Sequence, residues 1–243
     1  MTIASVLKSL LRRTQAFFTP DPNRFLRDVA GVIHVGANTG QERDLYAAHG
    51  LDVVWVEPIP EVFEELSARI AGFPKQRKLQ CLVADKDDQD YAFHIASNDG
   101  GSSSILELKH HKDLWPDVRF EKTITLRSKT LPTLLALNQV DCQKYQALIL
   151  DTQGSELLIL RGASGLLPAF SYIKIEVADF EAYAGCCQLD EVSAFLTSHG
   201  FKERSRRCFA TRRERGSYYD VVYKRAAKEP RRALIRRAVR ASQ

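Results

Sequence analysis

Short apolar runs alternate with amphipathic stretches along this chain of 243 residues. Residues 32–35, 53–56, 79–83, 147–150 and 172–177 are rich in β-branched side chains and apolar at successive positions. Strands buried on both faces read this way, because helices cover both sides of a parallel sheet. Between them, residues 42–49, 60–70, 155–162 and 189–199 carry apolar side chains at helical spacing; Val192, Phe195 and Leu196 are one such set. The repeated β-α-β alternation predicts an α/β fold with a doubly wound, mostly parallel sheet. Two segments break the rhythm. Residues 91–145 switch to alternating strands around a glycine-serine loop, an insertion large enough to cover a site. Residues 201–211 and 218–223 read as two strands joined by a charged turn, a C-terminal antiparallel hairpin.

The first strand runs into Gly36-Ala37-Asn38-Thr39-Gly40 and then a helical pattern. A strand, a glycine-containing turn and a helix start form a site for a nucleotide-like ligand, since glycine lets backbone approach the ligand and a helix start offers N–H groups. In a dinucleotide fingerprint the middle glycine admits the pyrophosphate; here that position is Asn38 and the third glycine position is Gln41. Glu57 closes the second strand, where a carboxylate accepts from ribose hydroxyls, which suits either a nicotinamide dinucleotide or S-adenosylmethionine. Asn38, together with the terminal hairpin, favours S-adenosylmethionine.

The motifs V-G-A-N-x-G, W-V-E-P, A-D-K-D, a G-S-S-S loop, L-D-T-Q-G-x-E-L-x-I-L-x-G-A, I-x-I-E-V and Y-D-V-V-Y occur in order between Gly31 and Tyr223. In this the chain resembles the FkbM family of S-adenosylmethionine-dependent methyltransferases. The resemblance implies a class I methyltransferase fold with a seven-stranded sheet whose last strand is antiparallel, and O-methylation of hydroxyl groups, often on sugars or polyketide-type products. It implies that Gly36, Ala37, Asn38 and Gly40 wrap the methionine end of the cofactor, that Asp85 lies near the adenine amine, and that Asp151 lies where cofactor and acceptor meet. This chain departs from the family's frequent residues at three places: His34 stands for Asp, Leu131-Pro132 for Leu-Asp, and Gln153 for Glu.

Methyl transfer is an in-line displacement, so the protein must position a nucleophile, exclude water and accept one proton. Asp151 and Glu176 end their strands at the edge where a doubly wound sheet binds its ligands, and are the candidate bases. For Asp151 the competing role is that of helix N-cap; for Glu176, a paired strand-end carboxylate. Ser103, in the loop 100–104, is a candidate cofactor or substrate contact, against a plain turn. His110 and His111 read as surface histidines, with a base or metal role as the alternative, and His34 as a core histidine. No metal site is expected. No N-P-P-Y or D-P-P-Y follows the fourth strand, which argues against transfer to an exocyclic base amine.

Charge changes the picture only at the ends. The formal net charge is +5, yet eight of the cations lie between Lys224 and Gln243 with one acid, so residues 19–223 are mildly acidic. Such a body is not a nucleic-acid surface by composition. The expected organisation is an N-terminal amphipathic helix (1–20), a methyltransferase domain (21–225) and a basic tail (226–243). Ile3, Val6, Leu7, Leu10 and Leu11 alternate with Lys8, Arg12 and Arg13, a pattern that packs on the protein's own core or rests on an anionic membrane, and not that of a signal peptide. Five cysteines without a C-x-x-C pair give neither a disulfide framework nor a zinc site. The chain therefore reads as cytoplasmic, with peripheral contact at the inner membrane face. The expected partner is a hydroxylated small molecule or glycan. The rival readings are an adaptor that kept the fold but lost transfer, and a nicotinamide-dependent oxidoreductase.

Overall fold

The computed structural model describes residues 21–226. A seven-stranded sheet has the order β3-β2-β1-β7-β8-β10-β9, with β1 (Gly31–Val35) beside β2 (Asp52–Glu57) and β7 (Ala147–Leu150). The remaining strands are β3 (Gln76–Gln80), β8 (Tyr172–Ala178), β9 (Phe201–Thr211) and β10 (Ser217–Arg225). Only β10 runs against the rest, antiparallel to both β8 and β9. This is the class I methyltransferase arrangement, and the expected α/β sheet and terminal hairpin are both present.

The helices follow the apolar spacing. They are α1 (Arg43–Ala48), α2 (Pro60–Ile70), α3 (Leu131–Leu137), α4 (Glu156–Gly162) and α5 (Leu189–Ser198). Pro60 opens α2 without losing a hydrogen bond, since first-turn N–H groups have no intrahelical partner. A capping box between Gln188 and Glu191 starts α5. Two cores form, one on each face of the sheet. Ile33, Val54, Leu148, Leu160 and Ile173 lie in one; Val32, Trp55, Tyr46 and Leu66 lie in the other.

Two expectations need correction. The apolar run 79–83 is not one strand: β3 ends at Gln80, and Leu82–Val83 form β4, which leaves the main sheet to pair with β6 (Phe120–Lys129). Apolar continuity carried no sign of the exchange, because both partners bury the same kind of side chain. The irregular segment is also shorter than 91–145. Its last part is α3, where Thr130 caps the first turn by accepting from Thr133 N–H, so the insertion proper lies between β4 and α3. Within it β5 (Asp90–Ala96) pairs antiparallel with β6, and the two pack over Ile59 and Leu82.

The loop between β5 and β6 folds back onto the main domain. Lys109 N–H donates to Ala182 O (3.0 Å) and Ala184 N–H to Glu107 O (2.8 Å), which joins this loop to the segment after β8. Leu106, Leu108 and Trp115 pack there against Phe180, Tyr183 and Tyr218. The two segments form one roof over the C-terminal ends of β1 and β7. At those ends the winding direction of the sheet reverses and the crossovers part, opening a crevice.

Gly162 fixes how α4 meets this end of the sheet. A Cβ there would sit 2.6 Å from Ala84 O and 2.7 Å from Asp85 Cα, both backbone atoms with nowhere to move. Gly162→Ala is therefore expected to destabilise the protein by about 1–3 kcal/mol despite its better helix propensity. A shift of the urea midpoint measures this, and an unchanged or raised midpoint would contradict the packing.

Candidate functional site

A cleft of about 410 Å³ lies at the crevice. Its lining comes from the turn after β1, the end of β2, β4, the 98–103 loop, the loop after β7, and Glu176 of β8. The backbone leaves β1 with Gly36 at φ 81°, where a Cβ would lie 1.8 Å from Asp151 O. No other residue lets the two strand ends sit this close. Asn38 follows at φ 44°, a conformation that asparagine tolerates better than other side-chain-bearing residues.

The turn does not present free donors, as its glycines and helix start had implied. Gly36 and Ala37 N–H both donate to Val56 O, Gly40 N–H to Ala37 O, Thr39 N–H to Asn38 Oδ1, and Asn38 N–H to Glu57 Oε2. What it offers is a shaped wall. Glu57 holds that shape: it is buried, with Oε2 on Asn38 N–H (2.8 Å) and Oε1 on Ile59 N–H (3.0 Å). Burial pushes its pKa up to about 7 against the pull of those two bonds. Two lone-pair directions on the carboxylate remain for a ligand.

Asp151 and Glu176 meet on the cleft floor. Gln153 Nε2 donates to Asp151 Oδ1 (2.7 Å) and approaches Glu176 Oε1 (3.3 Å), bridging the two carboxylates. Tyr183 OH donates to Gln153 Oε1 (2.9 Å), which orients the amide with its nitrogen toward the acids. Burial raises the pKa of both acids. The charge of Glu156 adds to the effect on Asp151, and that of Asp151 to the effect on Glu176. Two like charges that meet on one amide disfavour each other's ionisation, which adds to the upward shift from burial.

The loop that carries Asp151 and Gln153 is itself organised by a carboxylate. Glu156, at the start of α4, accepts from Thr152 N–H (2.9 Å), Thr152 Oγ1 (3.1 Å), Gly154 N–H (3.1 Å) and Cys187 Sγ (3.4 Å). That tether keeps Gln153 in the left-handed region at φ 55° with its side chain aimed back at Asp151.

The profile of the methyltransferase FkbM domain matches residues 34–203. The chain belongs to the FkbM methyltransferase family. Its cofactor is S-adenosylmethionine, and the oxidoreductase reading falls away. A search of the curated proteins finds no match. Among solved structures the chain is similar to a fibrillarin pre-rRNA processing protein from Methanococcus jannaschii, at 13% identity over 84% of this chain and 69% of that one, with a TM-score of 0.48. It is also similar to 1,6-didemethyltoxoflavin-N1-methyltransferase from Burkholderia thailandensis (12% identity, 92% and 87% covered, TM-score 0.43). A third is magnesium protoporphyrin IX methyltransferase from Synechocystis (11%, 80% and 69%, 0.42).

The remaining candidates fall in different places in this methyltransferase. Asp85 is not among the cleft-lining residues; Tyr91 OH reaches its Oδ1 at 3.5 Å. Ser103 lines the cleft, but its hydroxyl accepts from Ala96 N–H (2.9 Å), so it shapes the loop. His34 lies on the cleft wall with Nδ1 bonded to Tyr46 OH (3.1 Å), and burial lowers its pKa to about 4. The H-H pair splits: His110 is half-exposed, whereas His111 is 3% exposed and lines the cleft. Sequence reasoning also passed over Glu156, Tyr183 and Tyr218. Only Glu156 left a signal, an acid in the first turn of a predicted helix. The segments 1–20 and 227–243 lie outside the described residues. No helix among the described residues is long and apolar enough to cross a membrane.

The raised pKa of Glu57 favours the folded state while the group is protonated. Stability should therefore fall as pH rises from the ordinary glutamate range through about 7, by up to about 1.4 kcal/mol per pH unit. Chemical denaturation of the wild type and Glu57→Gln between those limits measures it. The variant should lose this part of the decline, and parallel curves would mean that Glu57 is not the group responsible.

Proposed function

We propose that this methyltransferase transfers the methyl group to a hydroxyl oxygen of a small molecule or glycan, with the Asp151–Glu176 pair taking the hydroxyl proton. The observation that carries this reading is the Gln153-bridged pair on the cleft floor. An alcohol is weakly nucleophilic and must shed a proton as it is methylated, and a carboxylate with a raised pKa is suited to receive it.

The cleft fits the cofactor. Four acids, Glu42, Glu57, Asp151 and Glu176, line it without a Lys or Arg, a donor set that suits a cation with ribose hydroxyls. The turn from Gly36 through Asn38 to Gly40 would hold the methionine end, and Glu57 the ribose. Ile59, Leu82, Val83 and Phe93 make an apolar wall beside Glu57 that suits a planar base. Bound there, the cofactor supplies a methyl group on a cationic sulfur that leaves as a neutral thioether.

The protein's part is to place the acceptor oxygen in line with that methyl and to hold the proton. The hydroxyl proton passes to the ionised member of the Asp151–Glu176 pair, and from there to solvent after product leaves. Gln153 keeps the two carboxylates apart and oriented, and the roof of the 97–119 and 179–187 segments excludes water. Contact of the two basic ends with an anionic membrane surface belongs to the same proposal, since it would bring the enzyme to a lipid-linked acceptor.

The reading predicts that Asp151→Asn lowers kcat by about a hundredfold or more while S-adenosylhomocysteine still binds. Label from methyl-labelled cofactor should appear in the wild-type product as an O-methyl carbon, identified by its NMR shift. Label on nitrogen or carbon, or full activity of the variant, would reject hydroxyl transfer by this pair. Glu57→Ala should weaken cofactor binding by about 1–3 kcal/mol, the scale of a lost charged hydrogen bond. Unchanged calorimetric affinity would place the ribose elsewhere.

A further inference from the structure

Besides the acidic floor the cleft has a second region that is polar, uncharged and lined by aromatic rings. Ser102 Oγ is 2.9 Å from His111 Nε2, and His111 Nδ1 is 2.8 Å from Tyr218 OH. Asn98 Nδ2 donates to the same Ser102 oxygen (2.9 Å), while Asn98 Oδ1 accepts Ser102 N–H (3.1 Å), which fixes the amide orientation. Ser102, His111 and Asn98 all line the cleft.

A hydroxyl has one proton and two lone pairs. With Asn98 on one lone pair and His111 on a second direction, Ser102 keeps one direction open. Its polarity can reverse. When Tyr218 donates to Nδ1, Nε2–H donates to Ser102 and the serine proton is free to donate. When Ser102 donates to Nε2, Nδ1–H donates to Tyr218 and the serine offers a lone pair. This exchange needs a neutral imidazole, and burial lowers the His111 pKa to about 4. A partner that both gives and accepts a hydrogen bond, namely a hydroxyl, matches such a group.

The apolar half of this region comes from β9. Its pairing with β10 skips one residue: Ala210 faces Tyr218 and Cys208 faces Tyr219, so Phe209 is the extra residue of a β-bulge. Bulges re-aim side chains, and this one gives the cleft a phenyl ring that is 39% exposed. The ring lies tilted against Tyr218, 5.8 Å between centroids, and stays exposed at the cleft. Trp115, stacked on His111 at 4.5 Å, lines the same cleft.

We infer that Phe209, Trp115 and the Ser102–His111–Tyr218 chain form the acceptor subsite, and that it takes an uncharged ring with hydroxyls at its edge and an apolar face. The inference rests on the hydroxyl-transfer reading above and adds which residues select the acceptor. The ring face lies against Phe209 and Trp115, one hydroxyl binds Ser102, and another is left facing the Asp151–Glu176 pair. An anionic acceptor meets no cation in the cleft lining and an acidic floor beneath it. His111 and Tyr218 are positioning residues, acting through Ser102.

The test titrates the full chain, saturated with S-adenosylhomocysteine, with methyl and phenyl glycosides by calorimetry. Phe209→Ala should weaken glycoside binding about tenfold and Phe209→Trp should retain it. Ser102→Ala and His111→Ala should each weaken it severalfold, and His111→Gln, which keeps a polar partner for Ser102, should recover part of the loss. S-adenosylhomocysteine affinity should stay within about twofold throughout, which shows that the variants fold and excludes a general structural effect. Absence of glycoside binding to the wild type, equal binding by Phe209→Ala, or tighter binding of the sugar phosphates than of the neutral glycosides would overturn the subsite. Glycosides that bind as expected but are methylated on nitrogen-bearing analogues alone would overturn the hydroxyl-transfer reading and leave the subsite standing.

Discussion

Two strand ends come into backbone contact where Gly36 leaves β1 beside the carbonyl of Asp151, and the geometry of the cleft follows from that contact. Asp151 N–H donates to Val35 O at 3.1 Å, so the hydrogen-bond ladder between β1 and β7 runs one step past the strands before the chains part. Because Gly36 has no side chain, the carboxylate of Asp151 and the turn that ends at Gly40 face the same space. A side chain at position 36 would push the two ends apart and separate the Asp151 carboxylate from the turn after β1. The family motif beginning V-G-A-N is, in this light, a steric requirement on two strands as much as a ligand signature.

Electrostatics divides the cleft into halves with different tasks. The floor concentrates carboxylates away from water, a costly arrangement unless a cation arrives or protons are shared. The cofactor is a cation, and Gln153 Nε2 donates toward both Asp151 and Glu176, whose pKa values burial raises. Gln153 stands where the family often has Glu. An ionised glutamate would add a third negative charge and could not donate to the other two, whereas the Gln153 amide donates toward both. The carboxylates of Glu57 and Glu156 serve differently. Each accepts two backbone N–H groups and holds a loop in shape, while Glu57 keeps two lone-pair directions for a ligand.

Much of this was legible in the residue order because it depends on local chemistry. Apolar runs marked β1, β2, β7 and β8, helical spacing marked α2 and α5, and motif order marked the family and its cofactor. Asp151 and Glu176 were legible as strand-end acids. What the order could not carry is contact between distant segments. Leu82 and Val83 look like the continuation of β3 and belong to another sheet. His111 looks like a loop residue and is buried, because Trp115, Tyr183 and Tyr218, the last more than a hundred positions away, close around it. Asn38 reads as an obstruction to a pyrophosphate; in the fold it is the left-handed residue whose Nδ2 donates to Asp99 O at 3.0 Å, joining the cofactor turn to the insertion.

That last bond links the halves of the cleft. The turn after β1 holds Asp99 through Asn38, and one residue earlier Asn98 holds Ser102. Tyr183 hydrogen-bonds at once toward Ser102 O (3.2 Å) and Gln153 Oε1 (2.9 Å), tying the same loop to the carboxylate floor. A displacement of the 98–102 loop therefore disturbs the turn after β1, the bridge between the two carboxylates and the Ser102–His111 contact together. Transfer requires donor and acceptor to be held in register. Asn38 ties the 98–102 loop to the turn after β1 and Asn98 closes the loop on itself, so the insertion is built into the cleft and is more than a cover laid over it.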